Sequence, residues 1–281
     1  MGILKKGELA SKKTQRLIEK KKTEIQKFLN DPEDQIDTDV LVESMSRRYL
    51  VYIPAQSIVE HINLYRRLND KDFIWQISKE GGSDFRTVTI CGRDMPGFYS
   101  KIAGVFFLNG LDIIGSQAYS LGKDHVLDIF TVTPPMDRLF ETEKWEKAEA
   151  DLIRALQDDH FLDNALGRIP RTLTVFSGKN PEPNTVRIDN ETSSFFTIIE
   201  VFTYDFPGLL FCITNALYRN RINVNVAMVA TKVDQVIDIF YVRSLENDAK
   251  IETEQELEKI KTAILMNLPH IKAKEMNNEK N

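Results

Sequence analysis

The chain is poor in the residues that build metal and redox chemistry. Among 281 residues there are two cysteines, Cys91 and Cys212, and four histidines, His61, His125, His160 and His270. Both cysteines lie in apolar runs at non-equivalent places, which argues against a disulfide and predicts two buried thiols. The histidines are scattered, none precedes an aspartate, and His61 has no carboxylate or cysteine at ligand spacing, so no metal or other cofactor is expected. Long apolar runs are missing too, since nothing approaches the roughly 18 residues of a membrane-spanning helix. Lys5 and Lys6 lead into no apolar segment, so no signal peptide is expected either. What remains, 42% hydrophobic and 28% charged residues, suits a soluble chain of about two domains. The expectation is a cytoplasmic protein.

Acid is scarce in one segment only. Residues 1–27 hold nine Lys/Arg against three Glu, leaving them at +6 and the remainder of the chain at −11. A solvated helix face accounts for this segment without a partner, and docking on an acidic protein, a membrane surface or nucleic acid is the alternative. No aromatic residue is interleaved before Phe28, which speaks against nucleic acid.

The strongest signal is an internal duplication. Asp94-Met95-Pro96-Gly97-Phe98 returns as Asp205-Phe206-Pro207-Gly208-Leu209, 111 residues later. The same offset pairs Ile77 with Ile188, Ile90 with Val201, Ile102 with Ile213, Asn109 with Asn220 and Ile113 with Val224. After one residue is dropped, Val126-Leu127-Asp128-Ile129-Phe130 aligns with Val236-Ile237-Asp238-Ile239-Phe240. Two copies are too few for a solenoid, so they read as two small domains of one type.

In chain order, a helical stripe of Leu17, Ile18, Ile25, Phe28 and Leu29 ends before Asp31-Pro32. Thr38 is positioned to cap a second helix burying Leu41, Val42 and Met45. After Pro54, a third carries Ile58, Ile62, Tyr65 and Leu68 on one face, with His61 one step off it as a packing or hydrogen-bonding histidine. Each repeat then reads as β-β-α-β-β-α. In the first, strands lie around Phe73 to Ile77, Phe85 to Cys91, Leu111 to Leu121 and His125 to Thr133, with helices from Phe98 and, capped by Thr142, around Trp145, Ala148, Leu152 and Leu156. Gly110 suits a helix C-terminus. In the second, strands lie around Val186, Phe195 to Phe202, Asn223 to Ala230 and Val236 to Val242, with helices through Ile213 and Ile264. Residues 161–185 connect the repeats and contain one strand-like run, Thr172 to Phe176; the tail from Lys272 is polar and expected to be disordered.

These segments divide the chain into 1–70, a helical region with a basic arm; 71–165, the first repeat domain; 166–185, a linker; 186–270, the second domain; and 271–281, a tail. Each repeat contains β-α-β-β-α, one strand short of the ferredoxin-like unit, whose fourth strand must come from the segment before or after. The fold class is α+β. Helices would cover one face of each sheet, and pairing of the repeats or a second chain would cover the other.

At a strand-to-helix junction, Asp94 and Asp205 are placed to cap the helix that follows. Pro96 and Pro207 preset the backbone, while Gly97 and Gly208 leave it bare. Unbonded amides near Gly97-Phe98 and Gly208-Leu209 would receive an α-carboxylate and the aspartates an α-amino group. A purely structural cap is the other reading.

Asp-x-Pro-Gly-(Leu/Phe), an aliphatic helix, Asn/Asp-(Ile/Val) and Val-x-Asp-x-Phe together resemble the ACT domain. The tandem looks like the C-terminal part of the bifunctional uridylyltransferase/uridylyl-removing enzymes that act on the PII nitrogen-signalling protein. Arg48-Tyr49-Leu50 through Pro54, Ile58 and His61, Val186-Arg187-Ile188-Asp189-Asn190, and Ile237-Asp238-Ile239-Phe240-Tyr241-Val242 follow that pattern, so the likeness covers roughly residues 45–268. It implies tandem ferredoxin-like βαββαβ (ACT) domains preceded by a small helical region, sensing an amino acid, most plausibly glutamine, in nitrogen regulation. By the same resemblance, ligand would meet Asp94, Gly97, Phe98 and Asp112 in the first copy and Asp205, Gly208, Leu209 and Asn223 in the second. Partners would be that amino acid, a separate catalytic subunit or PII protein, and a second copy or the other repeat.

The resembled enzymes' transferase needs a Gly-Ser loop followed by an Asp-x-Asp pair, and their hydrolase an adjacent His-Asp with further histidines. Here Gly82-Ser83 sits in a hairpin turn without following aspartates, so no catalytic residue and no enzyme activity is expected. A dimerisation or partner-docking scaffold without ligand is the competing expectation. An RNA-binding sheet is a third, opposed by Asp128 and Asp238 on the strands that would meet phosphate.

Overall fold

The computed structural model describes residues 12–29, 32–79, 82–122, 124–135, 137–166, 172–175, 182–232 and 235–273. Eight strands form one antiparallel sheet. They are β1 (Phe73–Lys79), β2 (Arg86–Arg93), β3 (Ile113–Leu121) and β4 (His125–Val132) from the first repeat, and β6 (Thr185–Asp189), β7 (Thr197–Tyr204), β8 (Ile222–Lys232) and β9 (Gln235–Ser244) from the second. Their order is β1-β2-β4-β3-β8-β9-β7-β6. Within each repeat this is the strand order of a ferredoxin-like unit, but the outer edge is filled by the strand that precedes the β-α-β-β-α segment. The connectivity is ββαββα, as the segments read in chain order, and β1 and β6, hairpin-linked to their neighbours without a crossover, take the place of the ferredoxin-like unit's fourth strand.

The duplication is preserved down to register. Ile77 pairs Val88 and Ile188 pairs Ile199, positions related by the offset. Both inner strands carry a bulge at the same place, Ile113/Gly115 and Val224/Val226. The repeats join edge to edge through β3 and β8, where Gln117 lies opposite its own equivalent, Met228. A pseudo-twofold axis passes between those two residues.

Helices α5 (Phe98–Leu108) and α6 (Glu141–Gln157) of the first repeat, and α8 (Leu209–Arg219) and α9 (Glu254–Asn267) of the second, cover one face. A single core beneath them includes Ile90, Ile102, Phe106 and Phe130 of one repeat and Val201, Ile213 and Phe240 of the other, none exposed above 0%. Burial of each such side chain contributes ~2–3 kcal/mol. Arg86 closes the first repeat's edge by clamping Glu141 through both carboxylate oxygens, at 2.6 and 2.8 Å. Thr253 caps α9, accepting from the Glu256 amide while its hydroxyl reaches the Glu256 carboxylate. Thr253→Ala is expected to cost about 1 kcal/mol, read as a small drop in the denaturant midpoint.

On the opposite face, among the described residues, a helical layer covers the first repeat and reaches the second through Arg48, which lies against Met228 and over the Tyr241 ring. A layer of α1 (Lys12–Phe28), α2 (Pro32–Ser44), α3 (Arg47–Tyr52) and α4 (Ala55–Arg66) packs Ile25, Ile58, Ile62 and Tyr49 onto Cys91, Tyr119, Leu121 and Leu127. His61 is 8% exposed, with Nδ1 2.7 Å from the Tyr49 hydroxyl. The basic segment is partly structural here, since Ile18 and Ile25 bury its inner side and Lys21 donates to the Ile53 carbonyl.

Several local expectations are corrected. Thr38 is inside α2, not its cap, and accepts from Arg66. Thr142 lies inside α6, whose N-cap position is Phe140. Leu17 and Phe28 face outward at 45% and 49% exposure, because the stripe that docks is the narrower one through Ile18, Ile25 and Leu29. Leu111 and Phe195 fall outside the strands assigned to them. The connection contains a short helix, α7 (Phe161–Ala165), and β5 (Thr172–Val175), which pairs in parallel with β10 (His270–Ala273). Residues 271–273 thus belong to a strand rather than a tail, and 274–281 lie outside the described residues. Cys91 and Cys212 are buried free thiols, each pushed up to about 12 by burial.

Candidate functional site

The two Asp-x-Pro-Gly segments form type II turns, not side-chain caps. Proline takes the second turn position and glycine the third, with φ of 75° at Gly97 and 88° at Gly208, the left-handed geometry that this turn demands. The Phe98 amide donates to the Met95 carbonyl and the Leu209 amide to the Phe206 carbonyl, both at 3.0 Å. No side chain caps α5 or α8. The amides expected to await a carboxylate at Phe98 and Leu209 are thus engaged within the turn. Their side chains are core, at 3% and 5% exposure.

Each turn faces the other repeat. A Cβ added to Gly97 would stand 2.8 Å from the Tyr218 ring, and one on Gly208 2.9 Å from the Phe107 ring. Phe107 and Tyr218 are themselves related by the 111-residue offset, as are Asp112 and Asn223. The pairing is crosswise. Asn223 of the second repeat stands close enough to Asp94 of the first to lower its carboxyl, whereas Asp112 of the first repeat lines a small cavity with Asp205, Gly208 and Leu209 of the second. The resemblance grouped Asp112 with the Asp94 turn and Asn223 with the Asp205 turn; pairing through β3 and β8 exchanges them.

The corners differ electrically. Asp94 is raised by burial and by repulsion from Asp248 and Asp124, against which the Asn223 side chain works. At the other corner Asp112 is raised by burial and by Asp205. Behind the turns, Asp128 and Asp238 sit in the sheet at 2% and 0% exposure. Burial first, then Asp94, holds Asp128 well above the usual carboxylate range. The Tyr99 hydroxyl, bonded to Ser116, is raised by burial and by both aspartates. Among the described residues the Asp205 cavity is lined by three carboxylates, Asp112, Asp205 and Asp238, and by no Lys or Arg, and its volume is ≈ 20 Å³. That is room for about one water.

Phe107 and Tyr218 were invisible as site residues because each reads as an ordinary helix-face aromatic. The offset that links them is the signal that finds them. Tyr218 also donates to Asp159, which Lys101 holds at 2.7 Å. Among the described residues no group of His, Cys, Asp or Glu is arranged to hold a metal ion, and no helix is long and apolar enough to cross a membrane.

No protein-family model matches the chain. The bifunctional uridylyltransferase/uridylyl-removing enzyme of Rhodospirillum rubrum is 29% identical over 200 residues, 70% of this chain and 21% of the relative. That of Azospirillum brasilense is 30% identical over 225 residues, 77% of this chain and 24% of the relative. The chain resembles the C-terminal, tandem ACT-domain part of that enzyme. This ACT tandem spans about a quarter of the length of the curated relatives it matches. Among solved structures, aspartate kinase from Synechocystis aligns with a TM-score of 0.34 and 16% identity, over 64% of this chain and 26% of that one. The assignment of fold rests on the strand order and register above.

Proposed function

We propose that this chain is a non-catalytic, cytoplasmic regulatory module of a PII uridylyltransferase-like system, and that an amino acid, glutamine first, sets its state at the corners between its repeats. The observation that carries this reading is that neither corner is complete without the opposite repeat. A molecule lodged there necessarily biases how the two repeats sit together, and population shift requires only such a differential contact. The Asp205 corner brings Asp112 of the first repeat and Asp205 of the second to one cavity, carboxylates of a kind that suit an ammonium group. At ≈ 20 Å³ the closed corner excludes an amino acid, so binding requires the Phe107 ring to swing off Gly208.

A thermal-shift series over the amino acids tests this. A ligand at a hundred times its dissociation constant stabilises by about 2.7 kcal/mol, a rise of roughly 5 °C for a chain of this size. Glutamine is expected to produce it, Asp205→Ala to abolish it, and Asp94→Ala to reduce it less. The second reading, a ligandless docking scaffold, is favoured by the rings seated on both glycines. Flat midpoints with every amino acid, with the fold intact, would establish that reading instead.

A further inference from the structure

The two rings seated on the turn glycines are related by the offset, but they are not held alike. Tyr218 lies over Gly97, and its hydroxyl donates to Asp159 at 3.4 Å. Its neighbour on α8, Arg219, pairs with Asp163. Both acids belong to the first repeat, Asp159 just before α7 and Asp163 within it. Lys101 of α5 holds Asp159 at 2.7 Å, with its own side chain only 11% exposed. That bond first, and the Tyr218 bond with it, keeps the Asp159 carboxyl below the usual carboxylate range. Burial, then Asp159, raises the Tyr218 hydroxyl, so the phenol stays a donor. The seam where α5, α7 and α8 meet is closed to ≈ 10 Å³, too tight for more than one water.

Phe107, over Gly208, has no such tether. A phenyl ring offers no hydroxyl to a carboxylate, and among the described residues the second repeat lacks a counterpart of the clamp. At the fixed offset Lys101 becomes Cys212, a buried thiol, and Arg219 matches the uncharged Leu108. The chain leaving α9 runs into β10, where the first repeat makes α7 after α6.

We propose that Tyr218 is a latched lid over the Asp94 corner and Phe107 a free lid over the Asp205 corner, so that an amino acid enters at the Asp205 corner alone. Lys101, Asp159 and Asp163 decide this as positioning residues, acting through α8 without touching ligand. A single exposed contact is a weak tether. Here two adjacent residues of α8 are held at once, and the Lys101 ammonium that fixes Asp159 is largely out of water. The identity of the entering molecule rests on the amino-acid reading above; the latch does not.

Hydrogen exchange of the whole chain tests the latch without any ligand. The Phe98 and Leu209 amides make the same 3.0 Å bond within their turns, so after correction for intrinsic rates their exchange reports how often each corner opens. Leu209 is expected to exchange about tenfold faster than Phe98. Tyr218→Phe combined with Arg219→Gln keeps the ring and removes both contacts, and should bring Phe98 to within about threefold of Leu209. Lys101→Met, which reaches the lid through Asp159, should speed Phe98 and leave Leu209 unchanged. Equal rates in the parent overturn the proposal, as does a double variant that keeps the difference. Calorimetric titration with glutamine reads the consequence, one molecule per parent chain and two per chain of the double variant. Two per parent chain would overturn entry at a single corner, and a count that stays at one in the double variant takes the choice of corner away from the latch. Glutamine binding to neither protein would sink the amino-acid reading, and the exchange rates would still decide the latch.

Discussion

Gly208→Ala is expected to destabilise the chain by about 2–4 kcal/mol, and Gly97→Ala by a similar amount. Two costs add at each position. An L-residue held in the left-handed region costs about 1–2 kcal/mol, and a methyl group pressed into a packed ring costs about 1–3 kcal/mol more. The geometry supplies both, with φ of 88° and 75° and would-be Cβ contacts of 2.9 and 2.8 Å to the rings of Phe107 and Tyr218. Gly82 separates them. It has φ of 86°, yet nothing lies within 4 Å of where its Cβ would be, so Gly82→Ala should show the backbone cost alone. Urea melts of the three variants, with Phe107→Leu as the partner in a double-mutant cycle against Gly208→Ala, measure the ring term directly. Equal losses at Gly82 and Gly208, with no coupling to Phe107, would mean that the rings do not seat on the turns. The same cycle bears on function, since a ring that must move for ligand to enter has to be in contact first.

How much of this was legible in the residues depends on the range over which each feature is decided. The duplication and its strand-turn-helix order are written in short-range pattern, so Ile77, Ile90, Asp94 and their partners at the fixed offset identify both repeats. The crossing of Asp112 to the Asp205 turn is not, because it follows from which edge strands pair, and Gln117 opposite Met228 is a fact of tertiary structure. Caps fail for a related reason. Thr38 and Thr142 look like helix starts, but the chain extends each helix upstream and uses Thr38 as a buried acceptor for Arg66. Asp94 and Asp205 have the composition of caps, yet a Pro-Gly type II turn satisfies the local amide from the backbone and leaves the carboxylates to face the other repeat. The helical layer shows the same limit. Its apolar residues are readable, but that they dock on the first repeat is set by long-range packing such as Tyr49 against Tyr119, ring centroids 5.0 Å apart.

That layer should be the acid-sensitive part of the molecule, and His61 is the reason. Burial lowers His61 from 6.5 to about 4. It also raises the Tyr49 hydroxyl, which keeps its proton and shares a 2.7 Å hydrogen bond with Nδ1. A group whose folded value lies below its unfolded one contributes stability above the unfolded value, and that contribution is lost as pH falls towards the folded value. The window is thus from pH 6.5 down to about 4, and at about 1.4 kcal/mol per unit the loss reaches about 3 kcal/mol. Asp128, raised by burial and by Asp94, runs the other way and stabilises as pH falls, so the total profile alone would mislead. His61→Gln isolates the histidine, because it keeps an acceptor for Tyr49 and every other group titrates equally in both proteins. Urea melts at intervals between pH 7 and 4.5 should show the parent losing about 2–3 kcal/mol more than the variant. Parallel profiles would mean that the imidazole is not held neutral beneath the helices, and the attachment of that layer to the first repeat would then owe nothing to pH.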